Sequence, residues 1–198
     1  MGRTKTYDRD EIAKRAMHAF WSTGYHSTTT RQLAEATGLN VSSLYAEFGS
    51  KEGLYEAALE CYERDMVTLY IGDLEKPGAT LATLRTVLLQ YPAFARAEGG
   101  APGCLLCNAA IEQAPTPAAS QASTERYVRR LSAGVAHVLG NARDVGLIRP
   151  DVDLEAQGHS IAATLLGLFV MVRAKIGVEV LDNAVRQAIA QIDALEQS

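Results

Sequence analysis

Few side chains in this sequence have the type and spacing for covalent or coordination chemistry, and the densest group is a pair of thiols. Cys104 and Cys107 lie three apart within the run Gly-Cys-Leu-Leu-Cys-Asn-Ala-Ala-Ile-Glu at residues 103–112. A helix places both on one face. A structural zinc site would need a second pair or a nearby histidine, and the sequence offers neither. Thiol sensing needs a thiolate, favoured near positive charge or a helix N-terminus. Pro102 and Gly103 would put Cys104 in the first turn of its helix, with Cys107 a turn deeper as a resolving partner. Leu105, Leu106, Ala109, Ala110 and Ile111 surround the pair, however, and burial raises a thiol's pKa and blocks access. No basic residue stands between Arg96 and Arg126. Burial is the stronger effect, so the expectation is structural or ligand-lining cysteines, with a redox or electrophile sensor as the alternative. With Cys61 there are three cysteines, which suit a reducing compartment better than a disulfide framework. His137 and His159 are expected to be satisfied core or interface histidines. A Gly-rich phosphate loop, a Gly-x-Ser-x-Gly elbow and a His-Glu-x-x-His motif are all lacking. The expectation is therefore no catalysis, no cofactor and no metal.

A second group is polar rather than reactive, and helix signals frame it. Asp8 is a good N-cap, with Glu11 three residues on as in a capping box. Ile12, Ala13, Ala16, Met17 and Phe20 follow at helical spacing, and Gly24 supplies a stop. The run Ser27–Thr30 caps a short second helix that ends at Gly38. Asn40 caps a third over 41–48, stopped by Gly49, and Ser50 caps a long fourth reaching about Ile71. The link Gly38-Leu39-Asn40 is the short glycine-containing turn of a helix-turn-helix. Leu33, Ala34, Leu44 and Phe48 are its expected core.

Residues 24–54 contain Gly-Tyr, Thr-Thr, Leu-Ala, Ala-Thr-Gly-Leu, Ser-Ser-Leu-Tyr, Phe, Ser-Lys-Glu and Leu in fixed order and spacing. In this the chain resembles the TetR family of bacterial repressors over about its first sixty residues. The 103–112 run is similar to a motif in one branch of that family. The resemblance implies DNA contacts: Arg31, Val41, Ser42 and Ser43 near bases, and Thr30, Tyr45 and Lys51 on the phosphate backbone. These types suit the task, because a major groove ~12 Å wide admits a slim polar helix start. An arginine fork reads guanine, and Val41 can meet a thymine methyl. Glu47 stands where the family often has histidine. A carboxylate there is expected to accept from a cytosine amine or to face solvent.

The rest of the sequence reads as longer helices: 80–98 bent at Pro92, 104–113, one from the 114–118 break to 144, 154–175 and 178–196. The fold class expected is all-α, with a three-helix helix-turn-helix domain at 1–52 and a larger effector-binding and dimerisation domain at 53–198. The apolar run 161–172 is hydrophobic all round and shorter than the ~20 residues a bilayer needs. It implies burial within the subunit and against a second copy, with Leu166 and Phe169 at the dimer contact. The effector should be small and apolar or amphipathic. Helical phase selects Tyr91, Phe94, Cys104, Cys107, Ile111, Tyr127 and Leu131 as its lining.

The net charge is −4, yet residues 1–51 carry seven Lys/Arg against five Asp/Glu. Attraction to phosphate is thus confined to the N-terminal quarter, and charge alone would not indicate DNA. Met1 to Asp10 lacks the apolar core of a signal peptide. The chain is therefore expected to act in the cytoplasm, away from membranes, as a ligand-responsive homodimer released from double-stranded operator DNA by its effector. A helical adaptor is the rival outside DNA binding, but it would have no use for this hairpin.

Overall fold

The computed structural model describes residues 7–96, 102–112 and 117–197. Helix α1 (Arg9–Thr23) starts after Asp8, whose carboxylate accepts from the Asp10 amide at 3.0 Å. Glu11 does not complete a capping box there; it pairs with Arg15, one turn on, at 2.9 Å. The box forms instead at α2 (Thr30–Thr37): the Thr29 hydroxyl accepts from the Gln32 amide at 3.2 Å, and Gln32 Oε1 accepts from the Thr29 amide at 2.7 Å. Gly38 closes α2 in the left-handed region, at φ 74°. Asn40 Oδ1 then accepts from the Ser43 amide at 2.8 Å to start α3 (Val41–Phe48). Ser50 caps α4 (Lys51–Tyr62).

The long fourth helix is not continuous. A π-helical turn, Glu63–Val67, separates α4 from the short α5 (Thr68–Ile71). The wider turn rotates the apolar stripe, so that buried Cys61 and Tyr62 are followed by buried Val67 and Ile71 while Leu69 is exposed. The chain passes between two compact units inside this turn. One comprises Met1–Met66 with Leu105–Glu125, the other Val67–Cys104 with Arg126–Ser198. The division expected after residue 52 is thereby moved. Leu54, Tyr55, Ala58 and Leu59 of α4 are buried, and α4 packs on α1, so α4 belongs to the hairpin's core.

In the first unit the centre is aromatic. Phe20 and Tyr55 meet edge-on with ring centroids 4.9 Å apart, Tyr25 lies 4.9 Å from Tyr55, and Trp21 meets Tyr62 at 5.1 Å. The short helix α7 (Leu105–Ile111) packs on α4 and buries Leu105, Leu106 and Ala109. The second unit is built on α6 (Leu81–Arg96), α9 (Leu154–Arg173) and α10 (Val178–Asp193), with the greater part of α8 (Pro117–Asp144). Arg130 grips Glu75 through two bonds at 2.6 and 2.8 Å, and Arg85 reaches Asp193 at 2.6 Å. His137 Nε2 lies 3.0 Å from the Lys76 carbonyl, a structural partner. His159 is exposed. Among the described residues the only β-pairing is an isolated bridge between Ile148 and Glu196.

Helix α9 has 20 residues, enough in length and composition to cross a membrane. The expectation that it was too short counted only the unbroken apolar run and left out its first turns. In this unit it packs on α6 and α10 as a core helix does.

At Gly53 the backbone itself requires the absence of a side chain: a Cβ would stand 2.1 Å from the Phe48 carbonyl oxygen. The α3–α4 corner would have to open to admit one. Gly53→Ala is therefore expected to lower stability by about 1–3 kcal/mol, read from thermal or urea unfolding. An unchanged midpoint would contradict this account of the corner.

Candidate functional site

Leu33, Leu44 and Phe48 are buried between α2, α3 and α4, with Ala34 half-buried, and this fixes which residues of the hairpin remain outside. Thr30, Arg31 and Ser42 are exposed; Val41, Ser43 and Tyr45 are half-buried. The starts of α2 and α3 thus present hydroxyls, one guanidinium and one branched aliphatic group from a rigid mount. The Arg31 side chain is 88% exposed and its Nε lies 2.9 Å from Glu35 Oε1. A surface pair of this kind contributes at most about 1 kcal/mol, so the guanidinium is readily released to another acceptor.

Two expectations change here. Glu47 neither faces solvent nor projects toward a ligand: its carboxylate side chain is only 7% exposed. It accepts from the Tyr7 hydroxyl at 3.2 Å and lies 3.6 Å from Arg9 Nε, while the Arg9 guanidinium sits 4.8 Å from the centre of the Phe48 ring. Glu47 therefore ties the end of α3 to the start of α1. Lys51, expected on a phosphate, has a structural bond. Its Nζ donates to the Tyr25 carbonyl at 2.7 Å and lies 4.2 Å from the centre of that ring. Burial holds its pKa below the usual lysine value.

The turn between α1 and α2 is held on several sides. Gly24 has φ 85°, a conformation that favours glycine. The Tyr25 amide donates to Glu112 Oε2 at 2.8 Å, and the Tyr25 hydroxyl donates to Glu52 Oε1 at 2.9 Å. Burial, reinforced by Glu52, pushes the Tyr25 phenol well above its usual pKa. Glu52 is in turn held below the ordinary carboxylate range by hydrogen bonds from Ser50, from its own amide and from Tyr25. A lowered folded-state pKa stabilises above the unfolded value and is lost as pH falls through the folded one. This carboxylate therefore contributes at neutral pH and fails in acid.

The effector candidates divide. Tyr91 and Phe94 meet at 5.9 Å and both pack against Phe169, which is 4.8 Å from Tyr91; Tyr70 joins the cluster 5.8 Å from Phe169. Tyr127 and Leu131 are buried in the same unit. Cys104 is 1% exposed, stands one residue before α7, and raises the already burial-raised pKa of Tyr70. Gly103 beside it would bring a Cβ to 3.0 Å from Arg173 Cβ, so a basic residue distant in sequence is near; its Nη1 donates to the Pro102 carbonyl at 3.2 Å. Cys107 is half-buried in the first unit. Ile111, expected in the lining, is 68% exposed at the end of α7. Phe169, expected at the dimer contact, is 6% exposed and packs in its own unit's aromatic cluster. Along 161–172 of α9 the exposed residues are Ala163, Gly167 and Val170, with Leu166 among the half-buried ones. Sequence reasoning missed Tyr70, Phe169, Arg173 and Glu112 as members of these clusters. Of these, Glu112 and Phe169 lay within runs already singled out, 103–112 and 161–172, while Tyr70 and Arg173 did not.

The all-helical fold and the exposed hairpin define a helix-turn-helix DNA-binding regulator of transcription. The family model for bacterial regulatory proteins of the tetR family matches residues 12–58, and that for the tetracyclin repressor-like C-terminal domain matches 80–189. The chain belongs to the TetR family. It is 26% identical over 194 residues to the uncharacterized HTH-type transcriptional regulator YezE of Bacillus subtilis, covering 98% of this chain and all of that one. It is 49% identical over 61 residues to the HTH-type transcriptional repressor ComR of Escherichia coli, covering 31% of this chain and 29% of that one. Among solved structures, a cysteine mutant of the TetR family regulator CifR complexed with 26bp double-strand operator DNA matches with a TM-score of 0.79 at 27% identity, over 96% of this chain and 98% of that one. The reduced form of E. coli NemR shares the fold, with a TM-score of 0.79 at 16% identity over 96% of each chain.

Lys51→Met keeps most of the aliphatic stem and removes the donor to Tyr25. The expected loss of stability is about 1.5–3 kcal/mol, the range for a hydrogen bond from a charged group. An unfolding midpoint equal to wild type would show that the Lys51 bond does not brace the turn.

Proposed function

We propose that the protein is a dimeric, ligand-responsive transcriptional repressor that binds a two-fold operator and is released from it by a small apolar or amphipathic effector in the cytoplasm. The observation that carries this reading is the arrangement of α2 and α3, whose inner faces are locked in a core while Thr30, Arg31 and Ser42 stand free. Arg31, Val41, Ser42 and Ser43 are assigned to base edges, and Thr30 and Tyr45 to phosphates. Lys51 acts on DNA chiefly by bracing the turn. Dimerisation is assigned to the outer face of α9, where Ala163, Gly167, Val170 and half-buried Leu166 give a small-residue surface for close helix approach. The effector site is assigned to the region of Tyr91, Phe94, Tyr127, Leu131 and Cys104, with Tyr70 and Phe169 added from the aromatic cluster.

A ligand of this kind acts only if it binds the DNA-free arrangement better, and the difference in its two affinities sets how far it can release the operator. Two half-sites must present themselves about 34–36 Å apart or at a multiple of that spacing.

A second reading has one observation in its favour: Cys107 is only half-buried. In that reading Cys104 and Cys107 report oxidants or electrophiles. Complete burial of Cys104 weighs against it, and the ligand reading is preferred.

Selection from a random duplex pool by the wild-type protein tests the main reading. The expected product is a two-fold symmetric site, bound at low salt by a dimer at micromolar concentration. Arg31→Ala is expected to lose about 1–3 kcal/mol and to relax preference at one base pair per half-site. Val170→Asp is expected to give monomers. A protein that enriches no duplex, or a well-folded wild-type monomer, would overturn the reading. For the thiols, N-ethylmaleimide is expected to leave operator affinity within about twofold. Release that disappears in Cys107→Ser or Cys104→Ser would establish the second reading instead.

A further inference from the structure

We propose that Glu112, at the end of α7, is a positioning residue for operator binding: it holds the α1–α2 turn through the Tyr25 backbone and so makes operator affinity depend on α7. The proposal rests on the DNA-binding reading above and identifies where the 103–112 segment acts on it.

The contact involves three consecutive residues, through the backbone of Tyr25, the side chain of His26 and the close approach of Gly24. Glu112 Oε2 accepts from the Tyr25 amide at 2.8 Å. The Glu112 carbonyl lies 3.1 Å from His26 Nε2. Gly24 is approached so closely that a Cβ would stand 2.4 Å from Glu112 Oε1. The next peptide unit, on the other side of the Tyr25 Cα, is held by Lys51, which donates to the Tyr25 carbonyl at 2.7 Å. The turn is thus clamped between α7 on its donor and α4 on its acceptor. The Tyr25 ring, packed on Phe20 and Tyr55, leaves it little freedom to rotate.

What the clamp controls follows from the next few residues. The Gly24 carbonyl accepts from the Thr28 hydroxyl at 2.5 Å and from the Thr28 amide at 3.2 Å. Thr29 is the N-cap of α2, and Thr30 and Arg31 are its first residues. Arg31, whose guanidinium is assigned to a guanine, stands six positions after the amide that Glu112 holds, and Thr28, the Thr29 cap and the first turn of α2 fix most of the path between them. A displacement of Glu112 is therefore delivered to the position of Arg31. At the other end, Leu105, Leu106 and Ala109 anchor α7, and Cys107 is five residues from Glu112, about 7.5 Å along a helix. Whatever shifts this short rigid helix moves the carboxylate with it.

A general stabilising role and a positioning role differ in what rescues them. Glu112→Gln keeps the length and an amide oxygen that accepts from Tyr25. Glu112→Asp keeps the charge but is one methylene short of the amide. The experiment measures the affinity of wild type, Glu112→Gln, Glu112→Asp and Glu112→Ala for the duplex that wild type selects, at a temperature where near-UV circular dichroism shows each folded. Glu112→Ala and Glu112→Asp are expected to bind about tenfold more weakly, and Glu112→Gln within about threefold of wild type. Amide exchange at Tyr25 should be faster in the first two and near wild type in the third. If Glu112→Ala does not fold, the Asp and Gln variants carry the test by themselves. Folded Glu112→Asp that binds within twofold of wild type overturns the proposal alone. Glu112→Gln as weak as Glu112→Asp overturns it too, since charge rather than reach would then matter. A wild-type protein that selects no duplex overturns the DNA-binding reading and this proposal with it.

Discussion

The position of the Tyr25 peptide is the constraint on which the DNA-binding unit depends. Gly24 turns the chain where an L side chain would be strained, and Tyr25, without Glu112 and Lys51 as partners, would leave its backbone donor and acceptor without these bonds close to an aromatic core. Unmade bonds of this kind cost about 1–3 kcal/mol each. Here charged groups from two other helices, Glu112 and Lys51, satisfy them. Hydrogen bonds to charged partners are the stronger class. With the turn fixed, the capping box at Thr29 sets the start of α2, and the left-handed Gly38 with Asn40 sets the start of α3. The exposed ends that meet a ligand are thus the last links in a chain of backbone constraints that begins in the core.

The second unit obeys a different rule, burial of bulk rather than satisfaction of a turn. Tyr70, Tyr91, Phe94 and Phe169 contact one another edge-on or stacked, and such pairs add about 0.5–1.5 kcal/mol beyond the area they bury. The two units thus hold themselves together differently, the first by satisfying the polar groups of a turn and the second by packing rings.

Much of this was legible in the sequence because helix boundaries are written locally. Asp8, Asn40 and Ser50 cap where expected, and Gly24, Gly38 and Gly49 end helices as their freedom allows. The capping box was placed at the wrong helix because Glu11 had a competing partner, Arg15, on its own helix face. The π turn left no signature, since Glu63 to Val67 are ordinary helix residues; only the jump of the buried stripe from Tyr62 to Val67 reveals it. Site residues were read less well where a long-range partner decided the role. Lys51 reads from the sequence as a phosphate contact, whereas its Nζ donates to the Tyr25 carbonyl, 26 positions away. Glu47 was captured by Tyr7 and Arg9. The place of Phe169 in its own unit's cluster was not legible, because a helix apolar on all sides does not say which side meets its own core. Ile111 was chosen by helical phase, which fixes relative faces but not which of them looks inward. Glu112 and Tyr25 are 87 positions apart, and no periodicity connects them.

The account places the Arg31 guanidinium against a guanine edge in each half of a symmetric site. Dimethyl sulfate footprinting of guanine N7 on the selected duplex, with wild type and Arg31→Ala compared at concentrations giving equal occupancy, reads that contact directly. The account predicts protected guanines related by two-fold symmetry, with one guanine in each half-site regaining reactivity when Arg31 is replaced. Identical protection by the two proteins, or protection without symmetry, would contradict it.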